Sequence, residues 1–323
     1  MKETLKTKTM STDGMVRFFT ILPKETHIDF LRLRHVMATI SVILSLIGLA
    51  AFAMIWMGQA KLGLEFTGGT ALTVELTPPV AIDAARAALA RGGFGDAQLQ
   101  DIRGTNQLAI RTKTVRGAEE EAQEQLLQLL RREFPDRTIT IASSDFISAT
   151  VGRELRDKAI WAVLFATLGL LAYIAFRFDF KFGVAAAITT FHDVLVVLGI
   201  VWLTGMEITL LVITALLTLA GYSLTDTVVI FDRVRENLRK HQREPLMKII
   251  NDSINQVLSR TLLTSLTTLL AVVALYLLGG PVLRDFSFVL ILGVIFGTYS
   301  SIYIACPLLL LGRRRGLTAH VKQ

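Results

Sequence analysis

The feature that most constrains this chain is a set of six apolar stretches, each close to the length that crosses a lipid bilayer. A transmembrane helix needs about 20 predominantly apolar residues. The stretches cover residues 36–57, 158–176, 182–204, 208–230, 261–279 and 286–311. The first follows a polar segment and has no small-residue cleavage pattern behind it, so we interpret it as a retained span and not as a signal peptide. The sequence therefore predicts an α-helical polytopic membrane protein with six transmembrane helices.

The charge distribution predicts the orientation of these helices. The net charge is +7, and the lysine and arginine residues cluster beside the apolar stretches on the side that carries both termini. This is the positive-inside pattern, which explains the basic balance better than binding to nucleic acid does. Residues 1–35 are then a cytoplasmic extension, residues 312–323 are a cytoplasmic tail, and residues 58–157 form a periplasmic domain.

The segment 58–157 predicts a small α+β domain. Ala71–Thr77 alternates between apolar and polar residues, which is typical of a strand. Further strands are predicted over Gln98–Ile102, Gln107–Thr112 and Thr138–Ile147, and helices over Ala81–Arg91 and Ala118–Phe134. The order β-α-β-β-α-β is that of a ferredoxin-like fold. Outside this domain, the charged segment 232–260 is amphipathic and compatible with a helix on the membrane surface.

Two carboxylates fall inside predicted spans. Asp193 follows His192 in the third span, and Asp226 lies in the fourth. An ionisable group at the bilayer centre costs at least about 2.5–3.5 kcal/mol on insertion scales, so such residues are functional candidates by default. The structural alternatives are that Asp226 anchors a neighbouring helix and that His192 pairs with a backbone carbonyl.

Hydroxyl groups recur at helical spacing around these carboxylates. Residues four apart share one face of a helix, and such a stripe in the fourth span comprises Thr214, Thr218, Tyr222 and Asp226, with Thr225 beside it. The fifth span carries Thr261, Thr264, Ser265 and Thr268, and Ser301 lies near the end of the sixth. Serine and threonine in a span can instead bond their own helix carbonyls. Gly293 and Gly297 form a small-xxx-small pair that favours close helix packing.

The sequence shows no enzyme signature. It contains no phosphate-binding glycine loop, no Gly-x-Ser-x-Gly and no His-Glu-x-x-His. The five histidines are scattered, and the single cysteine, Cys306, excludes a disulfide within one chain. We therefore expect a protein that is not an enzyme, with no catalytic residues, no cofactor and no bound metal.

Four motifs in order resemble one family. Gly63–Thr70 reads GLEFTGGT, Val151–Leu155 reads VGREL, His192-Asp193 lies in the third span, and Gly221–Asn237 closes the fourth. Together they closely resemble the SecF subunit of the bacterial protein-export machinery, which is akin to one half of a resistance-nodulation-division (RND) transporter. The resemblance covers roughly residues 30–312.

The resemblance implies a function in the bacterial inner membrane. SecF pairs with SecD and assists the SecYEG channel, using the proton motive force to complete export of the translocating preprotein. YajC and YidC are further expected partners, as is membrane lipid, whereas nucleic acid is not. The proton relay is predicted to involve Asp193, His192, Asp226, Thr225, Tyr222 and Arg233. The family motif after the first span supplies Gly63, Glu65, Phe66, Gly68 and Gly69.

The chain departs from the family pattern at two of these positions. Glu65 stands where the family usually has Asp, and Thr225 stands where it usually has Asn. The first change keeps the charge but alters its reach, and the second replaces an amide with a hydroxyl. The Gly68-Gly69 pair is expected to allow a positive φ or close packing where the first span joins the domain.

Two other functions remain open at this point. One is a proton-coupled exporter of small solutes or lipids from the same superfamily, although such exporters usually carry both halves in one chain. The other is a structural scaffold for the partner subunit, which would have no use for Asp193 and Asp226 inside the membrane.

Overall fold

The structure, a computed structural model, describes residues 26–95, 97–102, 106–112, 119–147 and 149–311. Within these ranges the helices are α1 (Arg34–Trp56), α2 (Leu64–Thr67), α3 (Ile82–Arg91), α4 (Glu119–Glu133), α5 (Ala149–Arg177), α6 (Phe180–Leu203), α7 (Leu210–Lys240), α8 (Leu246–Leu278), α9 (Gly280–Ser300) and α10 (Cys306–Leu311). The strands are β1 (Gly69–Thr77), β2 (Gln98–Ile102), β3 (Gln107–Thr112) and β4 (Thr138–Ile147). A 3-10 turn, Phe30–Leu33, precedes α1, and a π-helical segment, Ser301–Ala305, joins α9 to α10.

Six helical stretches are long and apolar enough to cross a membrane, which confirms the predicted helix count. They contain α1, α5, α6, α7, α8 and the continuous α9–α10. In its most apolar window α6 is 67% buried, against 11–44% for the other five, so α6 is the central helix of the bundle. Most of the predicted N-terminal extension and the tail from residue 312 lie outside the described residues.

The close approach of α1 to α6 depends on two glycines. A Cβ atom added to Gly48 would lie 2.1 Å from the carbonyl oxygen of Leu195, and one added to Gly199 would lie 2.9 Å from the nitrogen of Gly48. Two backbones can approach this closely only where neither carries a side chain. The first span is therefore fixed directly against the central helix.

The segment 232–260 does not form a separate helix on the membrane surface. Its first part is the end of α7 and its second part is the beginning of α8, with a short turn between them. Ile250 and Ile254 of α8 are buried in the same core cluster as Val234 and Phe231 of α7. The amphipathic pattern reflects this contact between two helices, because the apolar faces of both helix ends pack on each other. The 31 residues of α7 make a helix of about 46 Å, longer than the hydrocarbon layer of about 30 Å.

The small domain lies between α1 and α5 and has the predicted topology. Its four strands are antiparallel in the order β2-β3-β1-β4, the arrangement of a ferredoxin-like fold. Alternate residues of β1 point to one face, where α3 and α4 cover them. The resulting core comprises Leu72, Val74, Leu76, Ala85, Leu89, Leu108, Ile110, Leu126, Leu129 and Leu130.

The segment before α1 is fastened to α8 by two asparagine side chains. Asn251 accepts a hydrogen bond from the Phe30 amide at 3.0 Å and donates one to the carbonyl of Ile28 at 3.0 Å. Asn255 bonds both the amide and the carbonyl of Ile28, at 3.0 and 2.9 Å. An amide side chain offers a donor and an acceptor together, so it can bind a passing backbone as a strand would. This asparagine fastening holds residues 26–30 on the side of α8.

Candidate functional site

Asp193 lies within the central helix α6 and is completely buried. Its Oδ1 atom is 2.9 Å from Nδ1 of His192 on the same helix. Its Oδ2 atom accepts hydrogen bonds from Ser223 of α7 and from Oγ of Ser300 of α9, the latter at 2.6 Å. Three helices thus supply the partners of one carboxylate.

The close contact between α7 and α9 is what positions these two serines. A Cβ atom on Gly293 would lie 2.6 Å from Cβ of Leu219, and one on Gly297 would lie 3.1 Å from Cβ of Ser223. The predicted small-xxx-small pair therefore packs directly on α7, one helical turn after another. Ser223 and Ser300 are brought to the same oxygen because the helices that carry them are this close.

Asp226 forms a second buried cluster on the same helix pair. Its Oδ2 atom accepts a hydrogen bond from Oγ of Ser265 of α8 at 3.3 Å. Ser265 in turn is 2.7 Å from Oγ1 of Thr298 of α9. Asp226 lies three residues after Ser223, and Thr298 lies two residues before Ser300. The two carboxylate clusters therefore share α7 and α9, with α6 on one side and α8 on the other.

The chemistry of both clusters allows a carboxyl group to exist with or without its proton. A hydroxyl group can donate to a carboxylate and can equally accept from a carboxylic acid, whereas lysine and arginine only donate. The Ser300 hydroxyl also lies 3.1 Å from a second acceptor, the Gly297 carbonyl oxygen. The Thr298 hydroxyl lies 2.8 Å from the Val294 carbonyl oxygen. If Asp193 gained a proton, Ser300 could turn toward Gly297 and accept from Asp193 without leaving a buried group unpaired.

The other predicted relay residues do not hydrogen bond to either carboxylate within the described part of the chain. Thr225 is exposed and donates to the Gly221 carbonyl of its own helix at 3.0 Å. Arg233 bonds Gln256 of α8 at 2.6 Å and Glu236 at 2.5 Å. Because it is two turns beyond Asp226, about 10 Å along the helix, Arg233 belongs to a separate polar contact between α7 and α8. The structure thus brings together His192 and Asp193 but not Thr225 or Arg233.

Tyr222 faces a small cavity between α7, α8 and α9. The cavity has a volume of about 70 Å³, and its lining includes Thr218, Tyr222 and Thr268. The Tyr222 hydroxyl is buried and has no hydrogen-bond partner among the described residues, as is also true of Nε2 of His192.

Sequence reasoning missed two direct partners of Asp193 and one group in the Asp226 cluster. Ser223, Ser300 and Thr298 were not singled out, since isolated hydroxyl residues in spans usually bond their own helix. Ser301, which was singled out, donates to the carbonyl of Thr298 at 3.0 Å. The sequence feature that could have indicated them is their distance from Gly297. Ser300 and Ser301 follow Gly297 by three and four residues, so both lie near the face of α9 that packs on α7. The π-helical segment that begins at Ser301, just before Pro307, shifts the phase of the helix at this point.

The motif after the first span forms the junction between that span and the domain. The φ angles of Gly68 and Gly69 are +70° and +140°, which confirms the expected positive φ. A Cβ atom on Gly152, at the start of α5, would lie 3.1 Å from the Gly68 nitrogen. Phe66 is buried, and the Glu65 carboxylate lies against the backbone of Gly63. Two motifs far apart in sequence, GLEFTGGT and VGREL, thus meet where the domain joins the membrane helices.

No cluster of three or more histidine, cysteine, aspartate or glutamate residues suited to a metal ion occurs in the ranges that the structure describes.

Comparison with known proteins gives concordant matches. The family model described as protein export membrane protein SecD/SecF, C-terminal, matches residues 128–315. The chain is 43% identical over 289 residues to protein translocase subunit SecF of Thermodesulfovibrio yellowstonii, covering 89% of this chain and 95% of the relative. It is 40% identical over 294 residues to the SecF subunit of Rickettsia conorii, and the match covers 90% of this chain and 93% of the relative.

A solved structure shares the fold. The crystal structure of SecDF from Thermus thermophilus, described as a translocon-associated membrane protein, superimposes with a TM-score of 0.79 at 35% identity. The match covers 91% of this chain and 40% of the SecDF chain. A second SecDF structure, in a super-membrane-facing form, matches with a TM-score of 0.66 at 34% identity.

Six apolar helices, a small ferredoxin-like domain and ionisable groups buried among the helices define a polytopic membrane transport protein. Within that class, the family model and relatives above 30% identity specify one family. The chain belongs to the SecF family of protein translocase subunits.

Proposed function

We propose that the protein is an accessory, non-enzymatic subunit of the Sec translocase that pairs with SecD and uses the proton motive force to promote late-stage export of preproteins through SecYEG. Membership of the SecF family supports the role in protein export. The match to 40% of a SecDF chain supports the pairing, since the chain corresponds to one part of that larger protein.

The proposed location is the bacterial inner membrane, with both termini in the cytoplasm and residues 58–157 in the periplasm. The basic residues beside the membrane helices support this orientation. YajC and YidC are further proposed partners, on the basis of the family resemblance alone.

An exposed hydroxyl stripe on α7 supports pairing with a second membrane subunit. Thr214, Thr218 and Thr225 are exposed along one face, and each donates to a carbonyl of its own helix at 2.8–3.0 Å. Gly221 lies on the same face and has nothing within 4 Å of an added Cβ atom. Small residues of this kind favour helix–helix contact in membranes over contact with lipid. SecD is the proposed occupant of this face.

The observation that carries the proton-coupled function is the environment of Asp193. A completely buried carboxyl group whose partners are two serine hydroxyls and one imidazole has no fixed positive charge to hold it permanently ionised. Groups that both donate and accept can satisfy the charged and the neutral form in turn. A purely structural anchor would have no need of that property, whereas a proton carrier depends on it.

The test compares Asp193→Asn with the control Asp179→Asn in vesicles that contain SecD and SecYEG. Asp179 precedes α6, is exposed, and makes no capping hydrogen bond with its side chain. We expect Asp193→Asn to insert and pair normally but to lower the gradient-dependent part of preprotein export at least about tenfold. The control should export at the rate of the unmodified protein. Full gradient dependence in Asp193→Asn would overturn the proposal, and silent Asp193→Leu and Asp226→Leu variants would favour a scaffold.

A further inference from the structure

The loop between α6 and α7, residues 204–209, joins the two helices that carry the buried carboxylates. It also touches the domain at two independent places. The Ile208 amide donates to the Lys61 carbonyl at 2.8 Å, and the Gly63 amide donates to the Ile208 carbonyl at 2.9 Å. These bonds form a short parallel bridge between the loop and the segment that leads into the domain.

An ion pair makes the second contact. Nη1 of Arg111 on β3 lies 2.5 Å from Oε2 of Glu207 in the loop. The Glu207 side chain is 18% exposed and that of Arg111 37%, so solvent screens this pair less than a fully exposed one. Asp285, near the start of α9, also lies within electrostatic range of Arg111. One arginine of the domain therefore faces acidic groups at the ends of two membrane helices.

Both sides of this ion pair are held by further contacts. Arg111 follows Ile110, whose side chain is completely buried in the domain core, and β3 is an inner strand of the sheet. On the loop side, the Thr204 hydroxyl bonds the Val201 carbonyl at 2.8 Å, and the Thr209 hydroxyl caps α7 by accepting from the Val212 amide at 3.2 Å. The loop is therefore bonded at each of its ends to the helix that it joins.

The alternative connections are weaker candidates for transmission. The domain is also joined to α5, but the apolar window of that helix is only 11% buried. Gly152 of α5 contacts the domain junction at Gly68, whereas neither carboxylate cluster includes a residue of α5. The α6–α7 loop is continuous with both carboxylate-bearing helices and also bonds the segment that leads into the domain.

We infer that the α6–α7 loop transmits conformational change between the Asp193 and Asp226 clusters and the domain, with Arg111 and Glu207 as its positioning residues. The inference rests on the proposed function, in that it names the route by which the buried carboxyl groups act on the domain. A change at Asp193 alters its bond to Ser223, shifts α6 against α7, and reaches the domain through Ile208 and Glu207.

The test measures amide hydrogen exchange in the full chain paired with SecD. Asp193→Asn imitates the neutral carboxyl group, and we expect it to change exchange at Gly63 and Ile208 by at least about fivefold, the lower end of coupling between distinct sites. In a Glu207→Arg background this response should become smaller, because only the backbone bridge at Ile208 then remains. Glu207→Asp keeps the charge and should keep the response, and Glu207→Gln provides a milder disruption if the reversal prevents folding.

The matched control is Glu133→Arg, which reverses an Arg–Glu pair inside the same domain without touching the loop. It should leave the exchange response to Asp193→Asn unchanged. An equal response in the Glu207→Arg, Glu207→Gln and unmodified backgrounds would overturn the inference. The export assay tests the proposed function separately. That function is contradicted if Asp193→Asn keeps its gradient-dependent export.

Discussion

At the scale of single residues, the buried carboxyl groups are distinguished by the kind of partner they have. Ser223, Ser300 and His192 surround Asp193, and Ser265 with Thr298 lies beside Asp226. Each of these groups can reverse its role as donor or acceptor. The arrangement can therefore satisfy the hydrogen bonds of the charged and of the neutral carboxyl group.

Removing one serine from the Asp193 cluster should destabilise the protein measurably. Ser300→Ala leaves a buried carboxylate oxygen with one donor fewer, which costs about 1–3 kcal/mol. Unfolding in mixed detergent micelles, followed by circular dichroism, measures the loss. The matched control is Ser301→Ala, because Ser301 is equally buried but bonds only its own helix, and we expect a change within about 0.5 kcal/mol. Equal losses for both variants would contradict the assigned role of Ser300.

The sequence predicted the centres of these clusters but not their surroundings. Asp193 and Asp226 are conspicuous because charge in a span is expensive. Ser300 and Ser301 are adjacent, and both lie near the face of Gly297, so spacing alone cannot choose between them. The choice depends on the local phase of α9 at its π-helical end, which is a property of the packed helix and not of the residue pattern.

At the scale of elements, the contact between α7 and α9 tolerates no added atoms at its centre. We expect Gly293→Ala to destabilise the protein by about 1–3 kcal/mol through overpacking, and Gly297→Ala by less. The reason is that an added Cβ atom lies 2.6 Å from Leu219 at the first position and 3.1 Å from Ser223 at the second. The same unfolding measurement ranks the two variants.

Gly169→Ala provides the control for these glycine substitutions. Gly169 lies within α5, with nothing within 4 Å of an added Cβ atom, so alanine should be neutral or stabilise by up to about 1 kcal/mol through helix propensity. A loss of stability there as large as that of Gly293→Ala would show that helical glycines matter for a reason other than packing.

The pair Arg91–Glu133, which joins α3 to α4, predicts a pH dependence within the domain. The hydrogen bond from Arg91, with the charges of Arg91 and Arg132, holds the pKa of Glu133 below its ordinary value. A lowered folded-state pKa means that the pair stabilises the fold above the unfolded pKa of about 4.3 and that this contribution is lost as pH falls through the lowered value. We expect Glu133→Gln to weaken amide protection of α3 and α4 at pH 7, and the difference to shrink below about pH 4.

A more exposed pair in the same domain serves as the comparison. Asp83 and Arg86 lie 3.0 Å apart with side chains 87% and 59% exposed, and such pairs contribute little. Asp83→Asn should therefore change protection less than Glu133→Gln does. A Glu133→Gln effect of the same size at every pH would contradict the charge-based explanation.

Secondary structure with a regular residue pattern could be predicted from the sequence, whereas the packing partners of the helices could not. Period-2 alternation and the β-α-β-β-α-β order led to the correct domain fold, because the pattern of β1 matches a sheet covered on one face. The amphipathic pattern of the segment 232–260 is compatible with a surface helix, because a sequence does not show what an apolar face packs on. That partner is the adjoining end of α7 on α8, which only the folded chain brings into place.

At the scale of the whole molecule, the face of α7 with Thr214, Thr218 and Thr225 predicts where the partner subunit binds. Thr218→Trp adds a large side chain to this face, and we expect at least about tenfold weaker association with SecD, equivalent to 1.4 kcal/mol. Co-purification at several protein concentrations measures the change. Val42→Trp is the control, since Val42 is exposed on α1, which packs on α6. Unchanged association in Thr218→Trp would show that SecD does not bind to this face of α7.

The asparagine fastening of residues 26–30 on α8 has a consequence for biogenesis. Residues 26–30 are held by side chains that are synthesised more than 200 residues later, since Asn251 and Asn255 follow Phe30 by 221 and by 225 positions. At a synthesis rate of about 5–20 residues per second, residues 26–30 are made roughly 10–50 s before the asparagines that bind them. Nascent chains that stop short of α8 therefore lack the two side chains that bind residues 28 and 30.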